Sequence, residues 1–233
     1  MKEFLKKYKH AWVMLYLLIY FPAFFWLENR HVHKYTVIQS SLDAYIPFME
    51  IFIVPYFLWF AFVAGWVLYF FLTDTKGYYK VTTFLFAGMT IFLIWSWLFP
   101  NQLHLRPTTF ERENIFVTLV QFLYRIDTST NVFPSIHVYN SLGIAIAVLD
   151  SEALKERKWI RVSTVVMAFS IVLSTMFLKQ HSFDDVTGGC IMALLFYWLI
   201  YMEAYRTVPE KLRELRERRG QITKHQSHHW FDF

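Results

Sequence analysis

"VSTVVMAFSIVLSTMFL" (162–178), "KQHSFDD" (179–185) and "VTGGCIMALLFYWLIYM" (186–202) follow one another without a break, and their alternation decides the fold. Two uncharged stretches of seventeen residues flank a joint that holds a cation, an imidazole and two carboxylates. A helix needs roughly 17–25 mostly apolar residues to cross the hydrocarbon core of a bilayer. Each flank reaches that length. The pattern therefore reads as two crossings joined by a polar turn at a membrane face.

Four further apolar windows cover 11–27, 51–73, 81–103 and 134–149. The last of these is the least regular, because Pro134, Ser135 and His137 stand at its start. Composition agrees: 56% of residues are apolar and only 18% charged, where soluble domains run near 45–50% and 25%. A chain of 233 residues is too short to wrap six such helices in a polar shell. The expected fold is all-α: a polytopic bundle of six transmembrane helices over 1–204, followed by a basic tail over 205–233. The first window ends in "FFWLENR" with no small-residue cleavage site, so it reads as a retained helix. Cys190 is alone and forms no intramolecular disulfide.

Six crossings put both termini on one side. The segments on that side hold 17 of the 23 lysines and arginines, including Lys76, Lys80, Lys155, Arg161 and the tail. Positive charge collects on the cytoplasmic side, so the termini are expected there and the 179–185 joint outside. The protein is thus expected in the cell membrane with its chemistry on the extracytoplasmic face. Its expected partners are membrane lipids and a lipid substrate, not nucleic acid. The tail has helical Glu–Arg spacing from about 210 to 219, which suits a headgroup surface. His225, His228 and His229 lack a companion at ligand spacing.

That outward face collects unusual residues. His181 and Asp185 are four apart, which puts them on one helical face. A carboxylate there fixes the imidazole tautomer and leaves the other nitrogen available. In "NVFPSIHV" (131–138), Pro134 suits the first helical position. Ser135, Ile136 and His137 then form a first turn whose N–H groups make an anion site. Arg106 in "LHLRP" offers a fork for phosphate oxygens, and Lys179 a second cation. Glu50 and Asp127 are accessory candidates: Glu50 for an acceptor hydroxyl or for Arg106, Asp127 for the approach to His137. The segment 110–127 has the apolar face of an interfacial helix. Together these groups supply what phosphoryl transfer requires: donors for the oxygens, a nucleophile, and an acid for the leaving group.

These motifs resemble the type 2 phosphatidic acid phosphatase superfamily, whose pattern is Lys-x6-Arg-Pro, Pro-Ser-Gly-His and Ser-Arg-x5-His-x3-Asp. Arg106-Pro107, Pro134-Ser135, His137, Ser174, His181 and Asp185 match it. Phe99, Ile136 and Thr175 stand where lysine, glycine and arginine are usual. The resemblance implies a metal-independent lipid phosphatase without cofactor, in which His181 forms a phosphohistidine, Asp185 orients it and His137 moves the proton. Arg106, Ser135 and Lys179 would hold the phosphate. With two cations missing and Lys179 the nearest replacement, the chain looks similar to the branch of inositol-phosphorylceramide and sphingomyelin synthases. That similarity makes headgroup transfer to a lipid alcohol the alternative to hydrolysis. A small-molecule transporter or a haem protein is the remaining alternative, and either would place its ionisable residues deeper in the windows.

Overall fold

The computed structural model describes residues 8–202; the basic tail and its histidines lie outside that range. Seven α-helices are found among the described residues: α1 Leu17–Asn29, α2 Ile53–Thr73, α3 Thr75–Leu98, α4 Ile115–Ile126, α5 Ile136–Asp150, α6 Lys158–Phe177 and α7 Phe183–Tyr197. A 3-10 segment, Lys9–Tyr16, extends α1 backwards, and a π turn, Trp198–Met202, extends α7. Five of these units are long and apolar enough to cross a membrane. Their outer surfaces carry exposed Leu18, Phe60, Phe169 and Leu194, as lipid-facing helices do. The chain is a polytopic membrane protein.

The expectation of six comparable crossings needs correction. α5 has only 15 residues, about 22 Å of helix against a hydrocarbon core of about 30 Å. Ser135 caps it at one end, and extended backbone at Ser151 stops it at the other. It is short because it is interior. Nine of its residues are buried, and α2, α3, α6 and α7 all pack on it.

Two aromatic–glycine interlocks fasten α5 to α3. Tyr139 lies over Gly88, where an added Cβ would meet its ring at 2.0 Å, and Phe84 lies over Gly143 at 2.5 Å. The two rings stack at 4.6 Å, and Tyr139 donates its hydroxyl to Phe84 O at 2.7 Å. Stacking of this kind adds about 0.5–1.5 kcal/mol beyond burial.

The bundle has two distinct polar ends. At one end His10 Nε2 meets Phe71 O at 3.0 Å, and Lys80 pairs with Asp150 at 2.5 Å. The other end is knitted by a two-residue parallel ladder, β1 Thr36–Val37 on β2 Asn101–Gln102, with Gln102 bridged in turn to Thr130. Asn101 is buried, and its Oδ1 accepts the N–H groups of Val132 and Phe133 at 2.8 and 2.9 Å. This ladder holds the approach to α5 in place. The helix expected over 110–127 is α4, capped by Asn114 and buried along Val117, Val120 and Leu123.

Candidate active site

The turn between α6 and α7 is built by capping. Lys179 N donates to Met176 O at 2.9 Å and Gln180 N to Thr175 O at 2.9 Å. This is the Schellman closure of a helix, and it needs a left-handed residue. That residue is Lys179, at φ 54°. A side chain in that region strains the backbone; here the side chain ends in an ammonium that two carbonyls, Asp43 O and Ile46 O, hold.

The next helix start is capped twice. Ser182 N donates to Asp185 Oδ2 at 2.8 Å, and the Ser182 hydroxyl caps Asp184 N. Asp43, 3% exposed, accepts from Ser182 Oγ at 2.6 Å and Phe183 N at 2.8 Å. Carboxylates are favoured where helix N–H groups lack partners. His181 sits between these two caps and has little freedom to move.

His181 Nδ1 is 3.4 Å from Asp185 Oδ2, and Asp185 is fully buried. That length is at the long end for a hydrogen bond, as often holds before a substrate closes a site. With Nδ1 directed at the carboxylate, Nε2 is the nitrogen left for chemistry. His137, in the first turn of α5, has its ring centroid 5.7 Å from that of His181. Tyr56 at 4.8 Å and Trp59 at 4.4 Å, both on α2, pack on its ring. Gly189 makes this meeting of helices possible, since a Cβ there would come within 2.8 Å of Ser135 O.

The start of α5 differs from expectation. Ser135 is the N-cap rather than a first-turn residue, and its Oγ accepts Val138 N at 3.4 Å. Its own N–H is used by Asp185 O at 3.1 Å, and the residue is fully buried. Pro134 lies one position outside the cap. The first-turn N–H groups of Ile136 and His137 remain for an anion.

Arg106 reaches the site, but its terminal donors are already used. They go to the carbonyls of Tyr124 (3.4 Å), Asp127 (2.8 Å) and Thr128 (2.7 Å), and to Gln180 Oε1. The guanidinium lies 4.8 Å over the Tyr124 ring and 3.9 Å from Asp127 Oδ2. A cation suits these last carbonyls of α4. Asp127 also accepts from Tyr56 OH at 3.3 Å. Burial raises its carboxyl above the usual range, against the pull of Arg106 and His181.

A cleft of about 360 Å³ opens beside the two histidines. Phe21, Phe24, Phe57 and Phe60 line its apolar side; Glu28, Asp127, Thr130 and Asn131 give it a polar rim. Glu28 is held by Asn131 Nδ2 at 2.8 Å and by the Thr128 hydroxyl. Among the described residues, no three His, Cys, Asp or Glu side chains converge as metal ligands would.

The structure therefore gathers His137, His181, Asp185, Asp127 and Arg106. It does not bring Lys179 to the cleft, because that ammonium turns to the 43–46 loop. Glu50 is also apart, bonded to Asn114 at 3.0 Å and paired with Arg112 at 3.5 Å instead of Arg106. Thr175, where the arginine of the third motif would stand, is fully buried, with its hydroxyl on Val172 O. Sequence reasoning missed Gln180, Asp43, Tyr56, Trp59 and Glu28. Gln180 lay inside the quoted joint but carries no charge. Asp43 showed only a local capping spacing from Ser40, with no sign of its partner 139 residues away.

Residues 100–207 match the model of the PAP2 superfamily. Over 111 residues the chain is 30% identical to a protein of Bacteroides thetaiotaomicron named lipid A 4'-phosphatase, covering 48% of this chain and 47% of that protein. The chain thus matches about half the length of this relative. No solved structure matches it.

Proposed function

We propose that this protein is an integral membrane phosphatase that hydrolyses a lipid phosphate through a phosphohistidine, on the extracytoplasmic face. The observation that carries this reading is the His181–Asp185 pair facing His137 beside an aromatic cleft at one end of the bundle. The match of residues 100–207 supports it. The charge bias of the connecting segments supports the outward orientation.

In the proposed reaction His181 Nε2 attacks phosphorus, and the bond to the leaving oxygen breaks. His137, protonated when the phosphate anion binds beside it, gives that oxygen a proton. Asp185 stabilises the imidazolium at Nδ1. Water then attacks phosphorus, His137 takes its proton, and the P–N bond breaks to free phosphate and the imidazole. The first-turn N–H groups of α5 point at the oxygens. The phenylalanines of the cleft suit acyl chains.

The polar rim bears on substrate class. Glu28, Asn131 and Thr130 offer acceptors and hydroxyls next to the histidines, which suits a headgroup rich in hydroxyl donors. A phosphorylated glycolipid fits this rim better than phosphatidic acid does, and the relative's name, lipid A 4'-phosphatase, supports a lipid phosphate as substrate. Headgroup transfer to an alcohol was suggested by Lys179 as a phosphate cation, and its commitment to Asp43 O and Ile46 O weakens that ground.

The test is phosphate release by the purified full chain from a phosphorylated glycolipid, phosphatidic acid and an isoprenyl diphosphate, each with and without a lipid alcohol. We expect free phosphate, and much less of it from His181→Ala and His137→Ala. Wild-type turnover in either variant sinks the scheme, and new phospholipid in place of phosphate would identify a transferase.

A further inference from the structure

The cleft lacks two of the cations that a phosphate site of this motif pattern uses, and Arg106 has no terminal N–H left to give. Gln180 stands where these shortages meet. It is 3% exposed, immediately precedes His181, and lines the cleft with Asp127, His137 and His181.

Its orientation is forced by chemistry. An amide oxygen accepts and an amide nitrogen donates, and only the surrounding network tells them apart. Arg106 has donors alone, so the end of Gln180 that meets Arg106 Nη2 must be the oxygen. The NH2 group is then the other end. It is buried and has no partner among the described residues. A buried donor without an acceptor is costly unless a ligand completes it.

The contact with Arg106 also changes that donor. A guanidinium bonded to the amide oxygen draws electron density from the nitrogen and polarises its N–H bonds. Arg106 is itself held by three backbone carbonyls, so the pair is rigid. Preorganised donors of this kind are what an oxyanion needs as charge develops.

We infer that Gln180 is the oxyanion donor of this site. Its amide binds a phosphoryl oxygen and relays the charge of Arg106, in place of the missing arginine at Thr175. The inference rests on the proposed phosphoryl-transfer reading and adds a catalytic residue to it. It also limits the ligand to an oxoanion that reaches His181, because the amide and that imidazole share one wall.

The test uses the purified full chain, Gln180→Glu and Gln180→Leu. Gln180→Glu keeps the shape and gives Arg106 a better acceptor, so it should fold even if the leucine variant does not. Two readouts are taken: turnover of the lipid phosphate, and orthovanadate binding followed by thermal stabilisation and direct titration. We expect kcat to fall about a hundredfold with KM changed less than threefold, and vanadate affinity to fall at least tenfold in Gln180→Glu. Unchanged vanadate affinity in that variant, or a wild-type chain that does not bind vanadate, would overturn the role of Gln180. A wild-type chain that binds vanadate through Gln180 but hydrolyses no lipid phosphate would overturn the proposed activity and leave the oxyanion site standing.

Discussion

The two polar ends of the bundle handle charge differently. At the end away from the cleft, opposite charges meet directly: Lys80 with Asp150 at 2.5 Å and Lys155 with Glu152 at 3.5 Å. At the cleft end, Arg106 and Lys179 meet mainly neutral oxygens, although Arg106 also lies 3.9 Å from Asp127 Oδ2 and Arg112 lies 3.5 Å from Glu50. Arg106 bonds three backbone carbonyls and an amide, and Lys179 bonds two carbonyls. The carboxylates there mostly face backbone N–H groups and hydroxyls, as Asp43 does. A direct ion pair cancels its own field. A cation set among carbonyls keeps part of its field for whatever enters the cleft.

Four substitutions at the cleft end, with Lys80→Ala and Asp74→Ala as comparisons at the far end, probe that contrast in order of expected effect. His181→Ala should lower phosphate release by at least about 10⁴-fold, with vanadate protection lost, whereas Lys80→Ala at the far end should leave turnover within a few-fold. His137→Ala should cost about 10²–10⁴-fold, measured as kcat, and more with poor leaving groups than with activated ones. Asp43→Ala should lower stability by about 2–3 kcal/mol, because a buried cap with three partners is lost. Asp74→Ala, which removes the half-buried cap of α3, should cost about 1 kcal/mol. Thermal unfolding of both variants measures the difference, and equal losses would break the contrast. Lys179→Gly should be nearly neutral in stability, since relief of left-handed strain of about 1 kcal/mol offsets two lost bonds. Its vanadate affinity should match wild type. A tenfold weaker affinity would return Lys179 to the phosphate.

The sequence revealed most about what depends on periodicity and local spacing. Five of the six expected crossings follow from apolar run lengths, the amphipathic α4 from its periodicity, and the sorting of polar residues from the lysine and arginine bias. His181 and Asp185 were legible because four residues make one helical turn. α5 was misjudged because its shortness comes from being enclosed by neighbours, which no single window records. The surroundings of Lys179 and Arg106 were hidden for a related reason. Their formal charges suggested phosphate, but backbone carbonyls met them first, and a carbonyl has no letter in a sequence. Gln180 was passed over because its importance comes from which atom Arg106 touches. Glu28, Asp43, Tyr56 and Trp59 also lie before residue 100, outside the segment that matches the family model.

The Asp43 and Lys179 contacts make the 40–46 loop and the 179–185 turn one mechanical unit. The Phe183 amide, hydrogen-bonded to Asp43 Oδ1, can exchange with solvent only when a segment 140 residues earlier in the chain lets go. Its exchange rate should therefore report release of that loop rather than fraying of α7. An antibody or lipid that pulled on the loop would loosen the His181 imidazole without touching it.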